Sequence, residues 1–194
     1  MDIDKRIKIT FLKYGAILGV LYLALTIASY YFIISGTQSP ILFVAAPIVF
    51  RLVVPLLVTL FLCYTGRKQI GGLWTFKQAT TGIFVMLFIA FLIQFIGKDI
   101  IFDRYIEPNG VEKIQQAAIT AKTVNLKQKG YDQKTIDKSI VEMKKDLAQQ
   151  TNAISLSSIM SEIVFSTLFI FLFALIFASL FRNAEYVPAS KLKQ

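Results

Sequence analysis

Arg51 is the one charge of this chain set at depth in an apolar run, which makes it the first residue to ask for chemistry. A guanidinium held there can grip a carboxylate or a phosphate through parallel hydrogen bonds. The carboxylate on offer is Glu162, at the head of the last apolar run, and the phosphate would be that of a lipid or a substrate. The plainer reading is interfacial. Pro47 suits a first helical turn, so a helix starting near Ile48 would let Arg51 snorkel to the outer interface.

A second pair invites an acid–base reading. Asp99 and Asp103 stand four residues apart and share one face of a helix. Lys98 and Arg104 beside them favour solvated interface carboxylates instead, and an acid–base or metal site would require more converging ligands. The chain has no His, hence no side chain ready to exchange a proton near neutral pH and no imidazole ligand. Its one Cys, Cys63, lies in an apolar run, where a thiol is ordinarily a small buried hydrophobe. No catalytic residue, metal ligand or cofactor is expected.

The elements that would position these residues are membrane-length. The chain is 55% hydrophobic with mean hydropathy +0.60, above the roughly 45–50% apolar content of soluble domains. Uncharged or nearly uncharged runs cover about 14–34, 41–64, 79–101 and 160–181. A run of about 20 such residues crosses about 30 Å of hydrocarbon as a helix. The fold expected is all-α: a polytopic membrane protein with four transmembrane helices and an extramembrane helical hairpin between spans three and four. The divisions are 1–98 for the tail and first three spans, 99–158 for the insert, and 159–194 for the last span and tail.

Small and polar residues repeat at helical spacing inside the spans. Gly15, Gly19, Tyr22, Thr26 and Ser29 form one stripe, and Ser166, Ala174 and Ala178 another. Such stripes let helices approach closely, and with other spans at hand the Gly15-x-x-x-Gly19 pair reads as intramolecular packing rather than dimerisation. Gln94 reads as hydrogen-bonding glue between helices. In the second span Pro47 and Pro55 remove backbone donors and should bend the helix.

The insert reads as two helices. Asn109 and Glu112 have capping-box spacing, Gly130 stops the first helix, and Asp132 caps the second. Ile136, Ile140, Met143 and Leu147 make one apolar stripe on a charged helix, a candidate partner-binding face. Two short helices bury too little to stand alone, so they lean on the membrane, on the spans or on a partner. Thr151 or Asn152 could break the chain before the last span, but no Pro or Gly enforces it.

The net charge is +9, and its placement argues against nucleic acid as a partner. Lys5, Arg6, Lys8 and Lys13 precede span one. Arg67, Lys68 and Lys77 lie between spans two and three, Arg182, Lys191 and Lys193 follow span four, and no basic residue joins spans one and two. The excess of basic residues on cytoplasmic loops then puts both termini in the cytoplasm and the insert outside.

Several stretches carry a likeness. Leu12-Lys13-Tyr14-Gly15-Ala16-Ile17-Leu18-Gly19 opens span one, and Gly71-Gly72-Leu73-Trp74-Thr75-Phe76-Lys77-Gln78-Ala79, with Gly82, leads into span three. Lys129-Gly130-Tyr131-Asp132, Ile136 and Met143-Lys144-Lys145 mark the second insert helix. Together these resemble an uncharacterised, domain-of-unknown-function family of bacterial four-span inner-membrane proteins. The resemblance implies a Gram-negative inner membrane and a periplasmic insert, and supplies no activity and no catalytic residues. Members are often encoded near polyprenyl-phosphate-type glycosyltransferases, which implies such an enzyme or another envelope complex as partner.

Three functions compete. The first expected is a non-enzymatic accessory or scaffolding subunit of a larger membrane complex, from the unsupported insert and the small-residue stripes. The alternative is lipid or small-solute handling, with Arg51 on an anionic headgroup. Third comes an enzyme built on Asp99 and Asp103.

Overall fold

The computed structural model describes residues 3–35, 39–72, 74–151 and 156–181. Among them every regular element is helical: α1 Ile3–Ile34, α2 Pro40–Ile48, α3 Val54–Gln69, α4 Phe76–Gln94, α5 Gly110–Gln128, α6 Gln133–Thr151 and α7 Leu156–Phe181. Two π-helical segments complete the spans. Val49–Val53 joins α2 to α3, and Phe95–Ile106 continues α4. Four stretches are long and apolar enough to cross a membrane: Ile3–Ile34, Pro40–Gln69, Phe76–Ile106 and Met160–Phe181.

Both π segments depart from expectation. In the second span, Pro55 offers no N–H to the carbonyl one turn back and its ring crowds that carbonyl. The chain widens rather than breaking: the Val54 N–H reaches back five residues to the Val49 carbonyl. In the third span the Glu107 N–H likewise bonds the Phe102 carbonyl at 2.8 Å. The helix from Phe76 therefore continues to Ile106 and carries both Asp99 and Asp103.

The described chain divides into two compact units. The first comprises Met1–Leu21, Pro55–Gln94 and Val164–Gln194, and the second Tyr22–Val54 and Phe95–Ile163. The first unit is built on close approach. A Cβ on Gly15 would lie 2.7 Å from the Met86 carbonyl oxygen, and one on Gly19 would lie 2.9 Å from the Ile93 Cβ. Phe11 fills the space left by Gly66 and Gly82 and stacks on Trp74 with ring centroids 5.4 Å apart. Ala174 and Ala178 are fully buried in the same core. The small-residue stripes thus pack span against span inside one chain.

Local signals end and start these helices. Gly71, at φ +109°, closes α3: its N–H bonds the Lys68 carbonyl while the Gly72 N–H bonds that of Arg67. This is the Schellman arrangement, which needs a residue tolerant of positive φ. Thr75 and Gln78 then form a reciprocal capping box on α4. Thr75 Oγ1 accepts from the Gln78 N–H at 3.2 Å, and Gln78 Oε1 accepts from the Thr75 N–H at 3.0 Å. The spacing was visible in the sequence as Thr-x-x-Gln.

In the second unit α5 packs against α6 and also against α2. Gly130, at φ +78°, ends α5 by the same motif: its N–H bonds the Lys127 carbonyl and the Tyr131 N–H bonds that of Leu126. Asp132 caps α6 as expected, its Oδ2 accepting from the Thr135 N–H at 3.4 Å. Hydrogen bonds from Thr135 hold the Asp132 carboxyl below its ordinary value. The Asn109–Glu112 capping box does not form. Asn109 precedes α5 without a side-chain cap bond, and Glu107 takes over the turn by accepting the Gly110 N–H on its carbonyl at 2.8 Å. The expected break near Thr151 or Asn152 turns on residues 152–155, which lie outside the described residues.

Candidate functional site

The polar groups of the second unit gather where α1 ends. Tyr30 and Tyr31 both meet Phe102 edge-on, with centroids 5.2 and 6.0 Å away. The positive edge of one ring against the negative face of another favours this geometry. Phe102 is buried between them, one helical turn before Glu107. Glu107 Oε1 accepts from the Tyr31 hydroxyl at 3.2 Å, and Oε2 accepts from Lys113 Nζ at 2.5 Å. Chiefly through Lys113, the Glu107 carboxyl is held below its ordinary value. At Gly110 α5 begins beside Tyr30 with room to spare, since a Cβ there would meet the ring at 3.5 Å, an ordinary contact. The cluster ties the first turn of the insert to the first span.

Lys98, Asp99 and Asp103 lie on the π segment. Lys98 is ion-paired with Asp103 and lies 3.9 Å from Asp99. One ammonium is thus shared by both carboxylates, which offsets one of their two charges near an apolar surface. Among the described residues no three His, Cys, Asp or Glu side chains converge as metal ligands.

Arg51 is half-buried in the first π segment. Its neighbour Phe50 lies against Phe32 with centroids 6.2 Å apart, so Arg51 stands within a turn of the end of α1. Arg51 Nε is buried with no hydrogen-bond partner among the described residues. The expected pairing with Glu162 does not form: Glu162 is exposed on α7, and no ion pair joins the two. Arg51 lies half-buried in the π segment, while Glu162 is exposed on α7.

The other expected sites sort as follows. Gly15 and Gly19 meet α4, and Ala174 and Ala178 lie in the core of the first unit. Gln94 is half-buried at the junction where α4 widens into the π segment. On the apolar stripe of α6, Ile136 is buried and Ile140, Met143 and Leu147 are half-buried, on a helix that packs against α5. Sequence reasoning missed the Tyr31–Glu107–Lys113 cluster. The pair of tyrosines at the end of span one was the available signal, but only folding brings Glu107 to them.

Helix number, length and apolarity define the class: an all-helical membrane protein with four candidate spans. Residues 13–183 match the model of a family described as a protein of unknown function, DUF4199, and the chain belongs to that family. Neither the curated proteins nor the solved structures compared with it give a match.

Proposed function

We propose that this protein is a non-enzymatic accessory or scaffolding subunit of a larger complex in the bacterial inner membrane, with both termini cytoplasmic and the insert periplasmic. The observation that carries the reading is α2. Phe50 lies against Phe32 near the end of α1, so the helix from Phe50 back to Pro40 reaches about 15 Å along its axis from that contact, at 1.5 Å per residue over ten residues. There it packs against α5 of the insert. Its apolar side chains are nevertheless open: Ile41 is 78% exposed and Val44 60%, with Leu42 and Ile48 also exposed. A helix that is apolar yet stands past the end of its neighbour span wants a covering surface. A second membrane protein reaching the same height supplies one.

The test places photo-crosslinking residues at Ile41 and Val44, with Val20 and Val164 on the span surfaces as controls. A discrete protein adduct from the first pair and lipid adducts from the second support the reading. Lipid adducts at all four positions, with recovery as a lone protein from the native host in mild detergent, would falsify it.

A second reading rests on Arg51. Its unpartnered Nε, near the end of the first span, suits the phosphate of an anionic lipid. Arg51→Gln should then lower the amount of anionic lipid that co-purifies, and an unchanged lipid profile removes this reading.

A further inference from the structure

The first unit contains a cavity of about 330 Å³ lined by Asp4, Ile7, Lys8, Thr75, Lys77, Gln78 and Thr81. It opens between the N-terminal turns of α1 and the start of α4. Its height along the spans is legible from its neighbours. Lys8 precedes the apolar run that begins at Tyr14, and Lys77 precedes the one that begins at Ala79. Phe76 is exposed beside it, and the Trp74 indole N–H bonds the carbonyl of Phe181, where the last span's described residues end, at 2.8 Å. Aromatic rings and lysines at the ends of three apolar runs mark the headgroup layer.

The lining holds charges of both signs. Asp4 Oδ1 accepts from Gln78 Nε2 at 2.9 Å, which orients the carboxylate, and Oδ2 has no hydrogen-bond partner among the described residues. Lys8 and Lys77 form no ion pair among the described residues. Thr75 and Gln78 are committed to the capping box, and Thr81 donates to the Lys77 carbonyl. What remains to offer is therefore one carboxylate oxygen and two ammonium groups around one cavity. A simple anion would meet Asp4 as well as the lysines, and a simple cation would meet both lysines.

We propose that this cavity binds the zwitterionic headgroup of a phosphoethanolamine lipid, its ammonium donating to Asp4 and its phosphate accepting from Lys8 and Lys77. The occupant is a bilayer lipid because the cavity lies where the apolar runs end. A choline headgroup fits less well, since a quaternary ammonium has no N–H to give Asp4.

The experiment reconstitutes the full chain in vesicles of equal parts phosphatidylethanolamine, phosphatidylcholine and phosphatidylglycerol with matched acyl chains. Bound lipid is then counted by native mass spectrometry after mild detergent extraction. The readout is the ethanolamine-to-choline ratio, because the other basic residues at this end attract phosphatidylglycerol wherever it binds. One exposed charge pair separates the two headgroups, so the wild type should favour ethanolamine about 1.4- to fivefold. Asp4→Asn keeps an acceptor for Gln78 and should bring the ratio to parity. Lys77→Gln should lower retention of both lipids together. The proposal is overturned by a wild-type ratio at parity, by an unchanged ratio in Asp4→Asn, or by displacement of the lipid with millimolar soluble phosphoethanolamine. Trp74 fluorescence verifies that each variant retains the fold of the first unit.

Discussion

Replacing a glycine by alanine should have opposite signs at two places in this protein. At Gly15 the new methyl would lie 2.7 Å from the Met86 carbonyl oxygen and 2.9 Å from the Ile89 Cβ. The first neighbour is backbone and has no rotamer to escape into, so α1 and α4 must separate. Overpacking of this kind costs about 1–3 kcal/mol, and a backbone clash belongs at the upper end. The better helix propensity of alanine returns about 1 kcal/mol, leaving a net loss of about 2 kcal/mol for Gly15→Ala. Gly19→Ala meets the Ile93 Cβ at 2.9 Å and the Ala90 Cα at 3.0 Å, and the double variant should lose more than either alone. Gly110→Ala is the control. Its methyl meets nothing closer than 3.5 Å, so the propensity gain acts alone and the protein should be unchanged or stabler by up to about 1 kcal/mol. The assay is built in, because Trp74 is the one tryptophan, buried on Phe11 and bonded to Phe181. Its emission reports unfolding of the first unit in detergent, and far-ultraviolet circular dichroism reports the whole chain, which covers Gly110→Ala in the second unit. A loss of about 2 kcal/mol multiplies the unfolding constant roughly 30-fold. If Gly15→Ala and Gly110→Ala move the unfolding midpoint in the same direction, close approach of α1 and α4 is not what these glycines provide.

Further outcomes follow from single contacts. Trp74→Phe keeps an aromatic ring on Phe11 but deletes the donor to Phe181, so it should cost about 0.5–1.5 kcal/mol; chemical denaturation followed by circular dichroism measures it. Glu107 has a folded value below its unfolded one, so its contribution is present above the ordinary carboxylate value near 4.3 and fades as pH falls through the folded value. Hydrogen exchange of the amides of 107–113 should quicken in that acid window, and Glu107→Gln should abolish the pH step; a step that persists removes Glu107 as its source. A cysteine at Tyr131, half-exposed, should react with an impermeant maleimide on intact spheroplasts, while one at Lys5 should react only after lysis. The native thiol will not interfere, because Cys63 is fully buried. Reversed reactivity would invert the proposed orientation.

Much of this architecture was written in local pattern. Apolar runs named the four spans, and Gly130 and Asp132 named the hairpin turn, since positive φ and an acceptor before a helix are properties of single residues. Small residues at Gly15, Gly19, Ala174 and Ala178 announced close packing, though not which span they would meet. The gaps came where neighbours decide. The span-three helix continues in a π register to Ile106, where Phe102 meets Tyr30 and Tyr31, and the Asn109 side chain does not cap because the turn is closed by the Glu107 carbonyl.

The sequence alone determined that this chain is helical and lipid-loving, because helix length and apolarity are sums over consecutive residues and require no partner. Tertiary structure alone decided which distant polar groups meet. Glu107 accepts from Tyr31, 76 residues earlier, while Arg51 stands apart from Glu162. The physical reason is that a contact between distant residues depends on the register of one helix against another, which packing sets, whereas Lys98 and its two carboxylates share one helical segment and needed no partner helix.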